Sequence, residues 1–145
     1  MRKIIFSIIA LLMPLAAAFA QGKPNVTGKW KLDDGSAIVE VYQQGNVYNG
    51  KIVWLAEPTE ADGTPAKDLN NPDKSLRSRQ LIGLNMLSGL KEVGDEYKEG
   101  KIYDPGNGKT YNCSMKLEGD VLKVRGSLDK RGLLGRTMDW FRVKE

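Results

Sequence analysis

Short runs of alternating apolar and polar residues predict β-strands along most of the chain after its first 20 residues. In the run 109–117, every second residue from Tyr111 onward is apolar and the residues between them are polar. Such alternation is typical of antiparallel strands that place one face on a core and the other in water. Gly, Asn and Asp separate the runs at distances that suit hairpins. The predicted strands are 27–32, 37–42, 48–55, 81–87, 97–104, 109–117, 121–127 and 136–143.

Eight strands in chain order within one small domain predict an all-β fold, an antiparallel up-and-down eight-stranded barrel. Closing the sheet removes the exposed edges that would otherwise pair with other chains. A sandwich of two sheets is the alternative. A membrane-spanning barrel is disfavoured because most of the runs are short and because Lys98 and Lys101 fall on opposite faces of one strand.

One polar stretch, 56–80, interrupts the strand pattern. Within it, Asn71-Pro72 is a helix-entry signal, and Asp73 is placed to interact with the N-terminal dipole of a helix. The stretch therefore predicts a long connection that contains one short helical segment.

The first 20 residues have the three parts of a secretory signal peptide. Two basic residues open the chain, an apolar run follows, and Ala18-Phe19-Ala20 matches a small-x-small cleavage site. The apolar run is short for a membrane span, so a retained anchor helix is the less favoured alternative. We expect residues 1–20 to be removed and residues 21–145 to form a single exported domain.

The composition excludes several kinds of site. The chain has no histidine, which excludes His-based catalytic triads and most zinc sites. Cys113 is the only cysteine, so no intrachain disulfide can form, and its place on an apolar strand face indicates an inert core thiol. We expect no enzymatic activity, no cofactor and no metal.

The charge balance says little about partners. The 22 basic and 18 acidic residues nearly cancel, which gives no electrostatic argument for nucleic acid or for an anionic membrane. We expect a monomer that has no nucleic-acid partner and at most peripheral contact with a membrane.

Residues 108–110, Gly-Lys-Thr, resemble the end of a phosphate-binding loop, but the motif fails. It requires a glycine where Tyr103 stands, and it runs into a helix, whereas the residues after 110 alternate like a strand. Pro-Gly-Asn-Gly at 105–108 predicts a hairpin turn instead. We expect Tyr103 and Tyr111 to meet across this turn.

Arginine and aromatic residues are the candidates for binding. In a closed barrel the first and last strands are neighbours, so Arg142 or Arg136 is expected to stack on Trp30. Four arginines, Arg136 among them, have two interpretations: they fasten the long connection to the barrel, or one or two hold a ligand carboxylate or phosphate at the barrel mouth. The arginines concerned are Arg77, Arg79, Arg125 and Arg136, and their candidate carboxylate partners are Asp68, Asp73, Asp104 and Asp139.

A series of short motifs spans nearly the whole chain after the N-terminal segment. In order they are GKW at 28–30, GKIVW at 50–54, Asp68 with NPD at 71–73, LRSR at 76–79, GL at 83–84, KIYDP at 101–105, GKTY at 108–111, VRG at 124–126, and GRT at 135–137 with Trp140 and Arg142. Together they resemble the bacterial domain of unknown function 2147 family of small exported proteins. The resemblance implies a lipocalin-like barrel in the bacterial periplasm. It lends no catalytic residue, because the family has no established activity.

The favoured function is the binding of a small, mostly apolar, lipid-like ligand, because an eight-stranded barrel is just wide enough to hold one. The alternative is a structural or interaction protein of the cell envelope that uses 56–80 as its partner surface. The predicted ligand-binding residues are Trp54, Tyr103, Tyr111, Arg125, Arg136 and Trp140.

Overall fold

Eight antiparallel strands pair in chain order, and the last strand pairs with the first, so the sheet closes into a barrel. The computed structural model describes residues 25–144, and the predicted signal peptide lies outside them. The strands are β1 (Gly28–Lys31), β2 (Ala37–Gln44), β3 (Val47–Leu55), β4 (Asn85–Val93), β5 (Glu96–Asp104), β6 (Lys109–Glu118), β7 (Val121–Ser127) and β8 (Gly135–Arg142). The predicted up-and-down barrel is confirmed, and the sandwich alternative is wrong.

The connections divide the barrel into two different ends. Because the strands run alternately up and down, the turns at 45–46, 94–95 and 119–120 share one end, which we call the short-turn end. Each of these turns contains a glycine with φ between 63° and 65°, the conformation that tight hairpins demand. The opposite end, which we call the long-loop end, carries the connections 32–36, 56–84, 105–108 and 128–134.

Apolar side chains on the inner faces of the strands fill the barrel. Trp30, Leu90 and Trp140 are fully buried in one continuous cluster. In β6, Cys113 and Met115 point into this cluster while Ser114 between them faces outward, as the alternation predicted. Burial raises the pKa of the Cys113 thiol to about 12, so the thiol stays protonated at neutral pH.

The N-terminal segment before β1 closes the short-turn end. Val26 is fully buried in the core, and its backbone carbonyl accepts a hydrogen bond of 2.8 Å from the Trp30 indole. The Arg142 guanidinium lies 4.3 Å from the centre of the Trp30 ring and donates to the backbone carbonyls of Asn25 and Thr27. Of the two arginines expected to stack on Trp30, Arg142 is therefore the one that does.

The fourth strand lies further along the chain than the predicted run 81–87. It begins at Asn85 because Gly83, with φ of 92°, turns the chain before it joins the sheet. It then continues to Val93 because Gly89, with φ of 72°, accommodates an irregularity in its pairing with β3. The alternation in sequence does not reveal this bulge, so the predicted end was wrong.

Two expectations about the β5–β6 hairpin are also wrong. The register pairs Tyr103 with Thr110 and Ile102 with Tyr111, so the two tyrosines lie on opposite faces of the sheet and do not meet. In addition, the pairing shifts just before Gly100, so that Lys98 and Lys101 are both exposed rather than on opposite faces.

The long connection contains one short helical segment, as predicted. It is a single 3₁₀ turn, Lys74–Leu76, and Asp73 caps it by accepting a hydrogen bond of 3.0 Å from the backbone amide of Ser75. Among residues 25–144, no helix has the length and apolar character needed to cross a lipid bilayer.

Candidate functional site

The long connection 56–84 folds back onto the β5–β6 hairpin at the long-loop end. The side-chain amide of Asn70 donates to the backbone carbonyls of Pro105 and Gly106 at 3.0 and 3.1 Å. The Asn70 carbonyl lies so close to Gly108 that any Cβ at that position would collide with it. The long connection therefore packs directly against the glycine-rich turn, which explains why a glycine is needed at 108.

A buried carboxylate fixes the folded-back connection to the outer face of β5. Asp68 is fully buried, and its first oxygen accepts a hydrogen bond of 2.6 Å from the hydroxyl of Tyr103. Its second oxygen accepts from the Asn71 amide at 2.8 Å and from Nε of Arg79 at 2.9 Å. Both oxygens of this buried carboxylate therefore accept hydrogen bonds, which replace the water that burial removes.

These contacts shift the ionisation of both partners. Burial acts to raise the pKa of Asp68, but the hydrogen bonds from Tyr103, Asn71 and Arg79 outweigh it and hold the pKa below its usual value. Burial, together with the bond to the Asp68 carboxylate, raises the pKa of Tyr103 to about 12. Asp68 is therefore ionised and Tyr103 neutral at physiological pH.

Between the long connection and the outer faces of β4, β5 and β6 lies an open cleft of about 790 Å³. Its floor is built from outward-facing strand residues, among them the cross-strand pair Ser88 and Lys101. Its walls come from the connection. The lining residues are Asn71, Pro72, Arg79, Gln80, Ile82, Gly83, Leu84, Asn85, Met86, Ser88, Lys101, Tyr103, Gly108 and Thr110. The volume lies within the range of pockets that hold small molecules.

The cleft combines apolar surface with positive charge. Ile82, Leu84 and Met86 provide the apolar part. Arg79 uses only Nε for Asp68, and its two terminal nitrogens make no hydrogen bond within residues 25–144. Lys101 donates to the Asn112 side chain at 2.7 Å and has no carboxylate partner in the described chain. Because no Asp or Glu is among the described lining residues, the cleft suits an anionic group joined to an apolar one.

The comparisons with known proteins agree with this architecture. The family described as uncharacterised proteins conserved in bacteria, DUF2147, matches residues 28–142. The chain belongs to this family. Its fold is also similar to a solved Helicobacter pylori structure described as "Protein HP1028 from the human pathogen Helicobacter pylori belongs to the lipocalin family". The two chains are 27% identical, the match covers 85% of this chain and 86% of that one, and the TM-score is 0.75. Among curated proteins, no sequence matches this chain.

Of the six predicted ligand-binding residues, Tyr103 is the one that lines the cleft of this DUF2147 barrel. Trp54 lies on the outer face of β3, 41% exposed, with the Lys31 ammonium 5.2 Å from its ring centre. Arg125 also faces outward, donating at 2.6 Å to the backbone carbonyl of Gly132. These two side chains therefore point away from the barrel interior.

The other three predicted residues belong to the inner face. Tyr111 is half-buried, and its hydroxyl accepts a hydrogen bond from the Asn107 amide. Arg136 shares a register pair with Gly126 at the long-loop end and is exposed. Trp140 is fully buried, and its indole nitrogen is a buried polar side-chain atom without a hydrogen-bond partner in the described chain. The six residues thus do not converge on one pocket, and their binding roles stay predictions.

Both arginines of the long connection bond within that connection, and the Asp68 carboxylate that pairs with Arg79 reaches the barrel through Tyr103. Arg79 pairs with Asp68, and Arg77 donates through Nε to the backbone carbonyl of Asn71 at 2.6 Å. Sequence reasoning placed Asp68 among the possible partners of arginine but missed Lys101 and Met86 as lining residues. Their outward positions on neighbouring strands are the signal that could have indicated them, once a segment covering that face was known.

Proposed function

We propose that this DUF2147 protein is a binding protein for a small, lipid-like anion, which it holds in the cleft at the long-loop end. The observation that carries this proposal is the lining of the cleft, where apolar side chains adjoin the guanidinium of Arg79 and the ammonium of Lys101. A ligand with an alkyl or aromatic part and a carboxylate or phosphate would match both surfaces. The function proposed is binding without a chemical step.

The fold also supports a small-molecule binding function with the cleft as the binding site. Eight-stranded barrels of the lipocalin type hold one small ligand or are filled by their own side chains. Here large residues such as Trp30, Trp140 and Leu90 occupy the interior, which favours the cleft as the binding place. The predicted signal peptide adds the setting, and we propose that the protein acts in the bacterial periplasm after residues 1–20 are removed.

Titration with sodium laurate, a minimal anionic amphiphile, tests the proposal by calorimetry below the micelle concentration. Lys101→Gln should weaken binding by about two- to fivefold, since exposed charge pairs contribute modestly. Ile82→Asn should weaken it by about tenfold through lost apolar contact. Lys98→Gln, on the same strand but outside the cleft, is the matched control and should leave binding unchanged. Equal losses for Lys98→Gln and Lys101→Gln, or no binding at all, would refute the cleft as the site.

Native mass spectrometry of protein isolated from its own cells identifies the natural ligand. A reproducible added mass that disappears in the Ile82→Asn variant would support binding in the cleft. An added mass that persists in this variant, and disappears when Trp140 is replaced by Phe, would place the ligand in the barrel interior instead. The indole nitrogen of Trp140 is buried without a hydrogen-bond partner in the described chain, so a ligand in the interior would accept a hydrogen bond from it.

The alternative function, an interaction protein of the cell envelope, has one observation in its favour. The long connection exposes Leu69 and Leu76 to solvent. A pulldown comparing the natural chain with a Leu69→Ser, Leu76→Ser variant tests it, because neither substitution touches the Asp68 contacts. Unchanged capture of the same partner by both proteins would count against this function.

A further inference from the structure

The connection between β7 and β8, residues 128–134, exposes three leucines. Leu128, Leu133 and Leu134 are 73%, 69% and 66% exposed, more than any other large apolar side chain in the described part of the chain. Single exposed leucines are ordinary on protein surfaces, whereas a cluster within seven residues is a feature that needs a partner. We call residues 128–134 the leucine loop.

Hydrogen bonds hold the leucine loop in this conformation. The Asp129 carboxylate accepts from the backbone amides of Leu133 and Leu134 at 3.1 and 2.8 Å. The amide of Leu128 donates to the carbonyl of Leu134 at 2.9 Å, which closes the base of the loop. Arg125 ties the middle of the loop to the barrel by donating to the carbonyl of Gly132 at 2.6 Å. The leucines are thus presented outward by a folded loop, and little conformational entropy remains to be lost on binding.

Three exposed cations lie within or next to the leucine loop in sequence. Lys130 and Arg131 lie within the loop, and Arg136 follows it at the start of β8. Within residues 25–144, none of these three cations forms an ion pair or a side-chain hydrogen bond that would neutralise it. The single acidic residue of the loop, Asp129, directs its carboxylate to backbone amides. Residues 128–136 therefore carry three cations against one carboxylate, a local excess of positive charge that the balance over the whole chain does not show.

We propose that the leucine loop docks the protein onto the surface of an anionic lipid bilayer. The three leucines would enter the boundary between headgroups and acyl chains, while Lys130, Arg131 and Arg136 meet lipid phosphates. Apolar side chains flanked by Lys and Arg are the combination that binds such interfaces. A protein partner fits less well, because leucine is under-represented among the residues that dominate protein interfaces and the loop contains no aromatic residue.

Vesicle co-sedimentation tests the proposal with the natural protein purified from its own cells. Binding should be at least tenfold stronger to vesicles of phosphatidylglycerol and phosphatidylcholine in equal parts than to phosphatidylcholine alone. A triple variant with Leu128→Ser, Leu133→Ser and Leu134→Ser should lose at least tenfold in binding to the anionic vesicles. A variant with Val93→Ser and Phe141→Ser removes exposed apolar side chains elsewhere and should bind normally. Equal binding by the triple variant and the natural chain would overturn the proposal.

A second measurement reports the position of the loop directly. Because Cys113 is buried and its pKa is raised to about 12, a polarity-sensitive dye should react selectively with a new surface cysteine in a Leu133→Cys variant. Its emission should shift to the blue on addition of anionic vesicles, while the dye on a Val93→Cys variant at the short-turn end should not respond. A response at both positions or at neither would overturn the proposal. Loop-dependent self-association in sedimentation velocity, without vesicle binding, would also overturn it. Neither measurement depends on whether the cleft binds laurate.

Discussion

Replacing Asp68 measures how strongly the long connection is fixed to the barrel. In an Asp68→Ala variant, the Tyr103 hydroxyl, the Asn71 amide and the Arg79 guanidinium all lose their acceptor. Hydrogen bonds to a charged group contribute about 1.5–3 kcal/mol each, but Arg79 is 39% exposed and regains water, so its share is smaller. We expect a loss of about 3–5 kcal/mol in the free energy of unfolding.

An Asp68→Asn variant separates the charge of this side chain from its shape. With its amide oxygen in the place of Oδ2, asparagine still accepts from Asn71 and Arg79, while its amide nitrogen donates to the Tyr103 hydroxyl oxygen. Three hydrogen bonds remain but the negative charge is lost, so we expect a smaller loss of about 1–2 kcal/mol. Protonated Asp68 resembles this asparagine. Since the pKa of Asp68 is lowered in the folded protein, its contribution is complete above the unfolded value of about 4 and is lost as the pH falls through the folded value. The two proteins should therefore approach equal stability in acid.

Urea unfolding monitored by circular dichroism, repeated from neutral pH to about pH 2, provides the measurement. Asp139→Asn is the matched control, because Asp139 forms a surface ion pair with Lys123 at 2.8 Å and should change stability by less than about 1 kcal/mol. A loss below about 1 kcal/mol for Asp68→Ala would refute the reasoning. A difference between the natural chain and Asp68→Asn that stays constant into acid would refute it as well.

Three further substitutions test separate contacts. Because the pKa of Tyr103 is raised to about 12 from the usual value of about 10, its contribution is complete below pH 10 and is lost as the pH rises toward 12. An absorbance titration should show phenol ionisation near pH 12, and the amplitude of this phase should fall by one tyrosine in Tyr103→Phe. Gly108→Ala should destabilise by about 2–4 kcal/mol in urea unfolding, whereas Gly35→Ala, with the same φ of 74° but no neighbour within 4 Å, should cost about 1 kcal/mol. Equal effects at the two glycines would contradict close packing of the long connection against Gly108. Arg142→Lys should lower the thermal midpoint of unfolding by several degrees, corresponding to about 1–2 kcal/mol. The reason is that lysine cannot both stack on Trp30 and reach two backbone carbonyls. An unchanged midpoint would contradict this role of Arg142.

The barrel could be predicted from the sequence because its strands alternate and its turns use glycine. The run 109–117 shows why, since from Tyr111 onward each inward residue is apolar and each outward one is polar. The end of β4 could not be predicted in this way, because the bulge at Gly89 changes the pairing without changing the composition of the run. Local pattern determines where strands occur, whereas register depends on contacts with neighbouring strands.

The cleft could not be predicted, because no local pattern shows that the polar stretch 56–80 folds back onto the outer face of the barrel. The residues that meet there, such as Arg79, Met86 and Lys101, lie on separate elements and share no motif. Asp68 lies in a polar stretch of the kind that is usually exposed to solvent, yet it is fully buried. Hydrogen bonds from Tyr103, Asn71 and Arg79 take the place of those that water would make. Trp54, one of the predicted ligand-binding residues, faces outward because the pairing of β2 with β3 shifts between Ile38 and Val39, which alternation in sequence does not reveal.

The most direct test of the proposed binding site is to map where laurate sits on the protein. Nuclear magnetic resonance spectra recorded with a spin-labelled laurate should show saturable broadening of backbone amides in the cleft, at Ile82, Met86 and Lys101. The Lys101→Gln variant should need more ligand for the same broadening. Saturable broadening confined to inner-face residues such as Met115 and Leu122, or broadening that never saturates, would contradict a binding site between the long connection and the barrel.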